Sequence, residues 1–146
     1  MENQLNSEPV KQKIKLDFKD SKYATGRRKK SIARVWLKKG SGIIHVNGKK
    51  MVDYFKKPNL QISICRPLTL VKRENEFDIR CSVKGGGLTG QAGAIIHGVA
   101  RAIVLFEPEL KLILKKKKLT TRDSRAVERK KYGRRKARRS FQFSKR

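Results

Sequence analysis

The sequence is short of the features that mark an enzyme, a membrane protein or a secreted scaffold. Its 146 residues include two cysteines and two histidines. Cys65 and Cys81 stand sixteen positions apart with no second pair to complete a zinc site. Both fall in alternating apolar stretches and read as buried structural thiols, a usage that suits a reducing compartment. No run of about 18 apolar residues occurs, so no membrane span is expected. The start of the chain lacks the apolar core of a secretory signal, and residues 1–21 contain no Arg, unlike a transit peptide. His45 and His97 have no nucleophile or metal partner at a useful spacing, and Ser31, Ser63 and Ser82 lack an activating motif. No catalytic residue, metal or cofactor is therefore expected. Acids are scarce as well: 12 Asp and Glu stand against 39 Lys and Arg, for a net charge of +27.

What remains is cationic surplus, and it is unevenly spread. A compact fold this basic repels itself unless an anionic partner neutralises it. Nucleic acid fits best, because each neutralised phosphate releases counterions and adds sequence-independent affinity. Residues 1–21 carry four Lys and four acids, for no net charge. Residues 22–114 carry nineteen basic and six acidic residues, and residues 115–146 carry sixteen and two. The chain thus divides into a weakly ordered leader (1–21), a globular RNA-binding core (22–114) and a basic tail (115–146). The tail has too few apolar residues to repay its ordering entropy by burial and is expected to order on RNA.

Within the core, Ala33, Val35 and Leu37 alternate with Arg34, Trp36 and Lys38, which predicts a half-buried strand. Turn residues Gly40-Ser41-Gly42 and the resumed alternation at Ile44 and Val46 predict a hairpin, ended by Asn47-Gly48. Met51 to Phe55 reads as a short helix stopped by Pro58. Leu68 and Leu70 read as the start of another strand. Phe77, Ile79, Cys81 and Val83 make the clearest strand. Ala92, Ile95, Ile96, Val99, Ile103 and Phe106 recur at helical spacing, one apolar stripe facing a sheet. Gly90, Ala94, His97, Gly98 and Arg101 lie on the opposite face, where small residues permit close approach. Pro108 suits the first turn of a second helix through about Leu114. The expected class is α+β, a mostly antiparallel sheet with helices on one face and a long basic C-terminal tail.

Three motifs bear on function. Gly85-Gly86-Gly87 follows a strand and opens a helix, so its backbone N–H groups could accept a phosphate; a tight strand-to-helix connection would need the same glycines. A nucleotide-binding enzyme would use this device too, but no Gly-Lys-Ser/Thr follows and no carboxylate pair stands ready for magnesium. Arg27-Arg28-Lys29-Lys30 packs four cations together, and Arg grips phosphate bidentately where Lys acts as a point charge. In the tail, Arg129, Lys130, Lys131, Arg134, Arg135, Lys136, Arg138 and Arg139 interleave with Tyr132, Phe141 and Phe143, offering phosphate contacts and stacking surfaces. A solubilising or localisation tail is the plainer alternative.

Four stretches then carry a resemblance: Tyr23 to Lys29, reading YATGRRK; Val83 to Arg101, reading VKGGGLTGQAGAIIHGVAR; Thr121 to Arg125, reading TRDSR; and Val127 to Lys131, continuing to the terminal Ser144-Lys145-Arg146. Over residues 22–146 the sequence resembles the small-subunit ribosomal protein nine family of bacterial and organellar type. The resemblance implies a fold like the second domain of small-subunit ribosomal protein five, shared with some small-molecule kinases. It implies a structural role on the ribosome, in the bacterial cytoplasm or in a mitochondrion or plastid, among neighbouring proteins of the subunit head. It implies binding to small-subunit ribosomal RNA, to which Arg27, Arg28, Lys29, Lys30, Gly85, Gly86, Gly87, Arg101, Arg122, Arg125 and the tail cations are assigned. Finally, it implies that Ser144, Lys145 and Arg146 approach peptidyl-site tRNA. Neither a membrane partner nor a homo-oligomer is expected.

Overall fold

A computed structural model describes residues 18–145; the first seventeen positions of the expected leader, and Arg146, lie outside the described residues. Five strands, β1 (Lys22–Arg28), β2 (Ser31–Lys39), β3 (Ile44–Val46), β4 (Lys49–Lys50) and β5 (Phe77–Lys84), form one mixed sheet in the order β1-β2-β5-β3-β4. The helices are α1 (Met51–Tyr54), α2 (Pro58–Val71), α3 (Leu88–Phe106) and α4 (Lys111–Lys116), with a 3-10 turn at Pro108–Leu110 before the last. Only β3–β5 is parallel; the other pairs are antiparallel. The α+β class follows directly, with the helical layer against one face of the sheet.

The expected hairpin between the second and third strands is not formed, because β5 lies between them. Both flanks of the Gly40–Gly42 turn bond to β5 instead of each other. Gly40 N–H donates to Glu76 O at 2.8 Å, and Ile79 N–H to Ile43 O at 2.9 Å. The Asp78 carboxylate accepts from the N–H groups of Ser41 and Ile43 at 2.9 and 3.0 Å. Burial raises the Asp78 pKa, but these N–H donors and the Ser41 hydroxyl outweigh it and hold the group below its ordinary value. The chain then reaches β5 through α1 and α2, the crossover that a parallel pair requires.

The strand expected from Leu68 is a second correction. Residues 58–71 are helical, with Pro58 in the first turn, where a missing N–H costs nothing, and Pro67 inside. Ile64, Pro67, Leu68 and Val71 are buried, a three- and four-residue spacing that packs one helical face on the core. The helix stops at Lys72, whose φ of 56° is left-handed, with Arg73 N–H closing onto Leu68 O at 3.1 Å. Cys65 therefore sits on a helix and is half-buried, not a strand residue; Cys81 on β5 is buried, and burial pushes its thiol up to about 12.

Helix α3 is the hub of the core. By length and composition it could cross a membrane. Instead it buries residues on nearly all sides, Ile95, Val99 and Ile103 among them; each such aliphatic side chain contributes about 1.5–3 kcal/mol on burial. The small face carrying Gly90, Ala94 and Gly98 does not point away from the sheet, as its spacing opposite the large stripe had suggested. It is the face of closest approach to β1 and β2. A Cβ on Gly26 would overlap the Ala94 carbonyl and the Gly98 nitrogen, and one on Gly98 would lie 2.6 Å from Val35 Cγ2. Strand and helix meet there backbone to backbone.

Candidate nucleic-acid interface

The close crossing of β1 and α3 fixes where the basic residues go. β1 is an edge strand, and α3 covers its outward backbone groups. His97 Nδ1 accepts the Arg27 N–H at 3.2 Å, and the Arg101 guanidinium donates to Thr25 O at 2.7 Å. An edge so capped is a poor template for another strand. Arg101, assigned to RNA from the sequence, thus spends one arm of its guanidinium on the fold. His97 is half-buried, and burial holds its pKa below the ordinary value, reinforced by the charges of Arg101 and Arg122 and opposed by bonding to the Thr120 backbone. The Arg27 N–H donated into the ring also favours the neutral imidazole.

At the far end of β1 the register pairs Arg28 with Ser31, leaving Lys29-Lys30 as a two-residue turn. Of the four clustered cations, Arg27 and Arg28 end β1 and Lys29 and Lys30 are its turn. The glycine loop lies directly against this turn. Ser31 Oγ donates to Gly85 O at 2.9 Å, and Gln91 Nε2 to the same oxygen at 3.3 Å. Tyr54 Oη in turn donates to Gln91 Oε1 at 2.9 Å. Gly85 and Gly86 are left-handed, with φ of 73° and 62°, and a Cβ on Gly86 would overlap Ser31 Oγ. These contacts are sufficient to require glycine at both positions. Gly87 is different: its φ is −102° and nothing lies within 4 Å of a Cβ built there.

A cationic concavity opens beside Arg28. Arg27 and Arg28 reach it from β1, Arg66 from α2, His97 from α3, and Lys118 and Leu119 from the root of the tail. Its acid is Asp123, 3.2 Å from the Arg28 guanidinium and 2.9 Å from that of Arg125. Arg125 also gives Asp123 its Nε at 3.0 Å and its backbone N–H at 3.1 Å. Bonding to Arg125 first, and the Arg28 charge beside it, hold the Asp123 carboxyl far below the usual carboxylate range. So Asp123 stays ionised and ties the tail root to the hairpin. Gly93 makes room for the arrangement, since a Cβ there would overlap Arg28 Cδ. Four cationic side chains around one carboxylate leave a positive recess suited to a phosphate.

Helix α4 runs through Lys116, and the Leu119 N–H closes onto Leu114 O at 3.1 Å. Beyond it no helix or strand is formed among the described tail residues. Arg138 Nε meets Glu128 at 3.0 Å and Arg134 donates to Arg138 O at 2.8 Å, while Tyr132 and Phe143 are fully exposed. Arg129, Lys130, Lys131, Arg135, Lys136 and Arg139 lie on this stretch, away from the concavity; Ser144 and Lys145 follow it, and Arg146 is outside the described residues.

Arg66 and Lys118 were missed. Arg66 precedes Pro67 in a segment read as loop and strand, and only the helical course of α2 turns it toward β1. Lys118 was hidden in a lysine run whose individual members look alike. Among the described residues, no group of three or more His, Cys, Asp or Glu is placed to hold a metal. Residues 26–146 match the model of the family described as ribosomal protein S9/S16.

Proposed function

Since this chain belongs to the ribosomal protein S9/S16 family, and so is a structural protein of the small ribosomal subunit, we propose that it anchors subunit-head RNA through the Arg27–Lys30 end of its core and extends its basic tail to peptidyl-site tRNA. The observation that carries the first half is the convergence of Arg27, Arg28, Arg66 and Lys118, from three separate elements, on one recess. Isolated surface cations would have no reason to meet across such distances in sequence. Lys29, Lys30 and the exposed Gly87 N-terminal to α3 continue the same positive edge, and Arg122 and Arg125 lead from it into the tail. The glycines themselves are accounted for by packing at Gly85 and Gly86. The RNA contact of this loop therefore belongs to the open side at Gly87.

The role is one of binding and positioning, not of chemistry. Phosphate contacts fix register and carry little sequence information, which suits a protein that must sit in one place on a folded RNA. The test is the salt dependence of binding to small-subunit head RNA. With about ten phosphates neutralised and roughly 0.7–0.9 counterions released for each, the plot of log K against log salt should fall with a slope of about −7 to −9. A slope near −2 would leave most of the charge facing solvent and overturn the proposal. Association with purified small subunits lacking this protein, at moderate salt, is the companion measurement. A stoichiometric ATP complex in calorimetry would instead favour the kinase-like reading of the glycine loop.

A further inference from the structure

The face of the sheet turned away from the helices carries its own pattern. Register places Tyr23, Trp36 and Arg80 in one cross-strand row, Arg34 and Ser82 in the next, and Ile32 and Lys84 beyond. Tyr23 and Trp36 lie with ring centroids 5.3 Å apart, and the guanidinium groups of Arg34 and Arg80 stand 5.3 and 5.7 Å from the Trp36 centroid. Ile32, Arg34, Ser82 and Lys84 border a shallow cleft beside this cluster. Tyr23 and Ile32 are 46% and 43% exposed. The acid of these strands, Asp78, is turned to the Ser41 and Ile43 amides. The cations therefore face solvent without a counter-charge from their own sheet, and like charges gathered on one face are unfavourable until an anion joins them.

We infer that this open sheet face is a second RNA surface, a stacking platform for an unpaired RNA segment. The inference rests on the RNA-binding reading above but concerns a different face and a different form of RNA. Duplex phosphates would need only cations. Flat aromatic and guanidinium surfaces on a sheet add affinity where bases are unpaired and can lie against them. Tyr23 supplies an exposed ring, and Arg34 and Arg80, held over the half-buried Trp36 ring, supply the guanidinium planes. Lys84 meets a neighbouring phosphate, and the Ser82 hydroxyl is placed for a sugar hydroxyl. The hairpin recess at Arg28 holds backbone; this face holds bases.

Trp36 is the only tryptophan of the chain, so its emission reports on this face alone. The full chain is titrated with a single-stranded RNA of about ten nucleotides, a duplex RNA of equal length, and polyglutamate, while anisotropy of labelled RNA follows total binding. Single-stranded RNA should quench Trp36 saturably, with duplex and polyglutamate leaving it nearly unchanged. Tyr23→Ala and Arg80→Gln, both at exposed positions, should each weaken that quenching by roughly tenfold in affinity with the melting temperature kept. If RNA binds by anisotropy while Trp36 emission stays constant, the platform is refuted and the phosphate-anchoring function stands. Equal quenching by duplex or by polyglutamate also refutes it, in favour of generic anion binding or an acidic protein partner. Absence of all RNA binding overturns both.

Discussion

At the scale of single residues, the crossing of Gly26 and Gly98 is the position least open to change. The overlap is with main chain, which cannot swing aside as a side chain can. Gly26→Ala should destabilise the protein by about 3 kcal/mol, the upper end of usual overpacking costs, read from denaturant unfolding at constant m-value. The glycine triplet makes a graded comparison. Gly86→Ala must adopt a left-handed φ and push on Ser31 and should lower the melting temperature measurably, whereas Gly87→Ala should leave it within error. His97 offers a pH test. Its folded pKa lies below its ordinary value near 6.5, so between the two the unfolded chain binds more protons and stability rises with pH. Its contribution is complete above the ordinary value and is lost as pH falls through the folded one. NMR titration of the imidazole checks the direction, and Arg101→Gln, which removes the larger of the two lowering charge effects, should move the titration upward.

At the scale of elements, alternation and helical spacing were legible wherever one face is buried and the other wet. Phe77 to Val83 reads as a strand because its odd residues are core and its even ones polar, and α3 reads as a helix because Ile95, Val99 and Ile103 share a side. The failures have physical causes. Leu68 and Leu70 alternate like a strand, yet Pro67 is buried on the core face of α2 and the spacing of Ile64, Leu68 and Val71 is helical. The Gly40–Gly42 turn looked like a hairpin because nothing local announces that Asp78, far along the chain, will take up its amides. The paired cations of Arg27–Lys30 were found from composition; Arg66 required the fold. The tail is the element on which the tRNA proposal depends. Deleting residues 144–146 should leave folding and incorporation intact, since the described contacts of the core do not involve Ser144 or Lys145. Peptidyl-site tRNA affinity of small subunits carrying the shortened protein should drop about fivefold for one cationic contact of about 1 kcal/mol, and roughly thirtyfold if two act together. Unchanged affinity and dissociation rate with normal incorporation would leave only RNA anchoring.

At the scale of the whole molecule, charge and hydrophobicity are segregated along the chain. The apolar residues of β1 through α4 close one core, while the stretch after Leu119 carries cations and exposed rings with no ladder of backbone bonds. In the isolated protein, amide exchange should accordingly be slow through β2, β5 and α3 and fast through residues 120–145. Slow exchange across that stretch would show that it is folded without RNA. The charge side of this segregation can be read from the distribution of Lys and Arg along the chain. Composition could not show that the core presents two unlike cationic surfaces, a recess at the hairpin end and an aromatic sheet face, because strand register alone brings Tyr23, Trp36 and Arg80 into line.

The central place of β5 in the sheet also sets a timetable for synthesis. Emerging residue by residue, the chain can close β1 on β2 early, but β3 has no parallel neighbour until residues 77–84 have appeared. The hub helix α3 comes later still. A nascent chain ending before β5 therefore leaves the apolar sides of β2 and β3 without the strand and the hub helix that cover them in the fold. The core must assemble nearly at once when α3 and the α4 residue Leu114 are released, with the polycationic stretch following them.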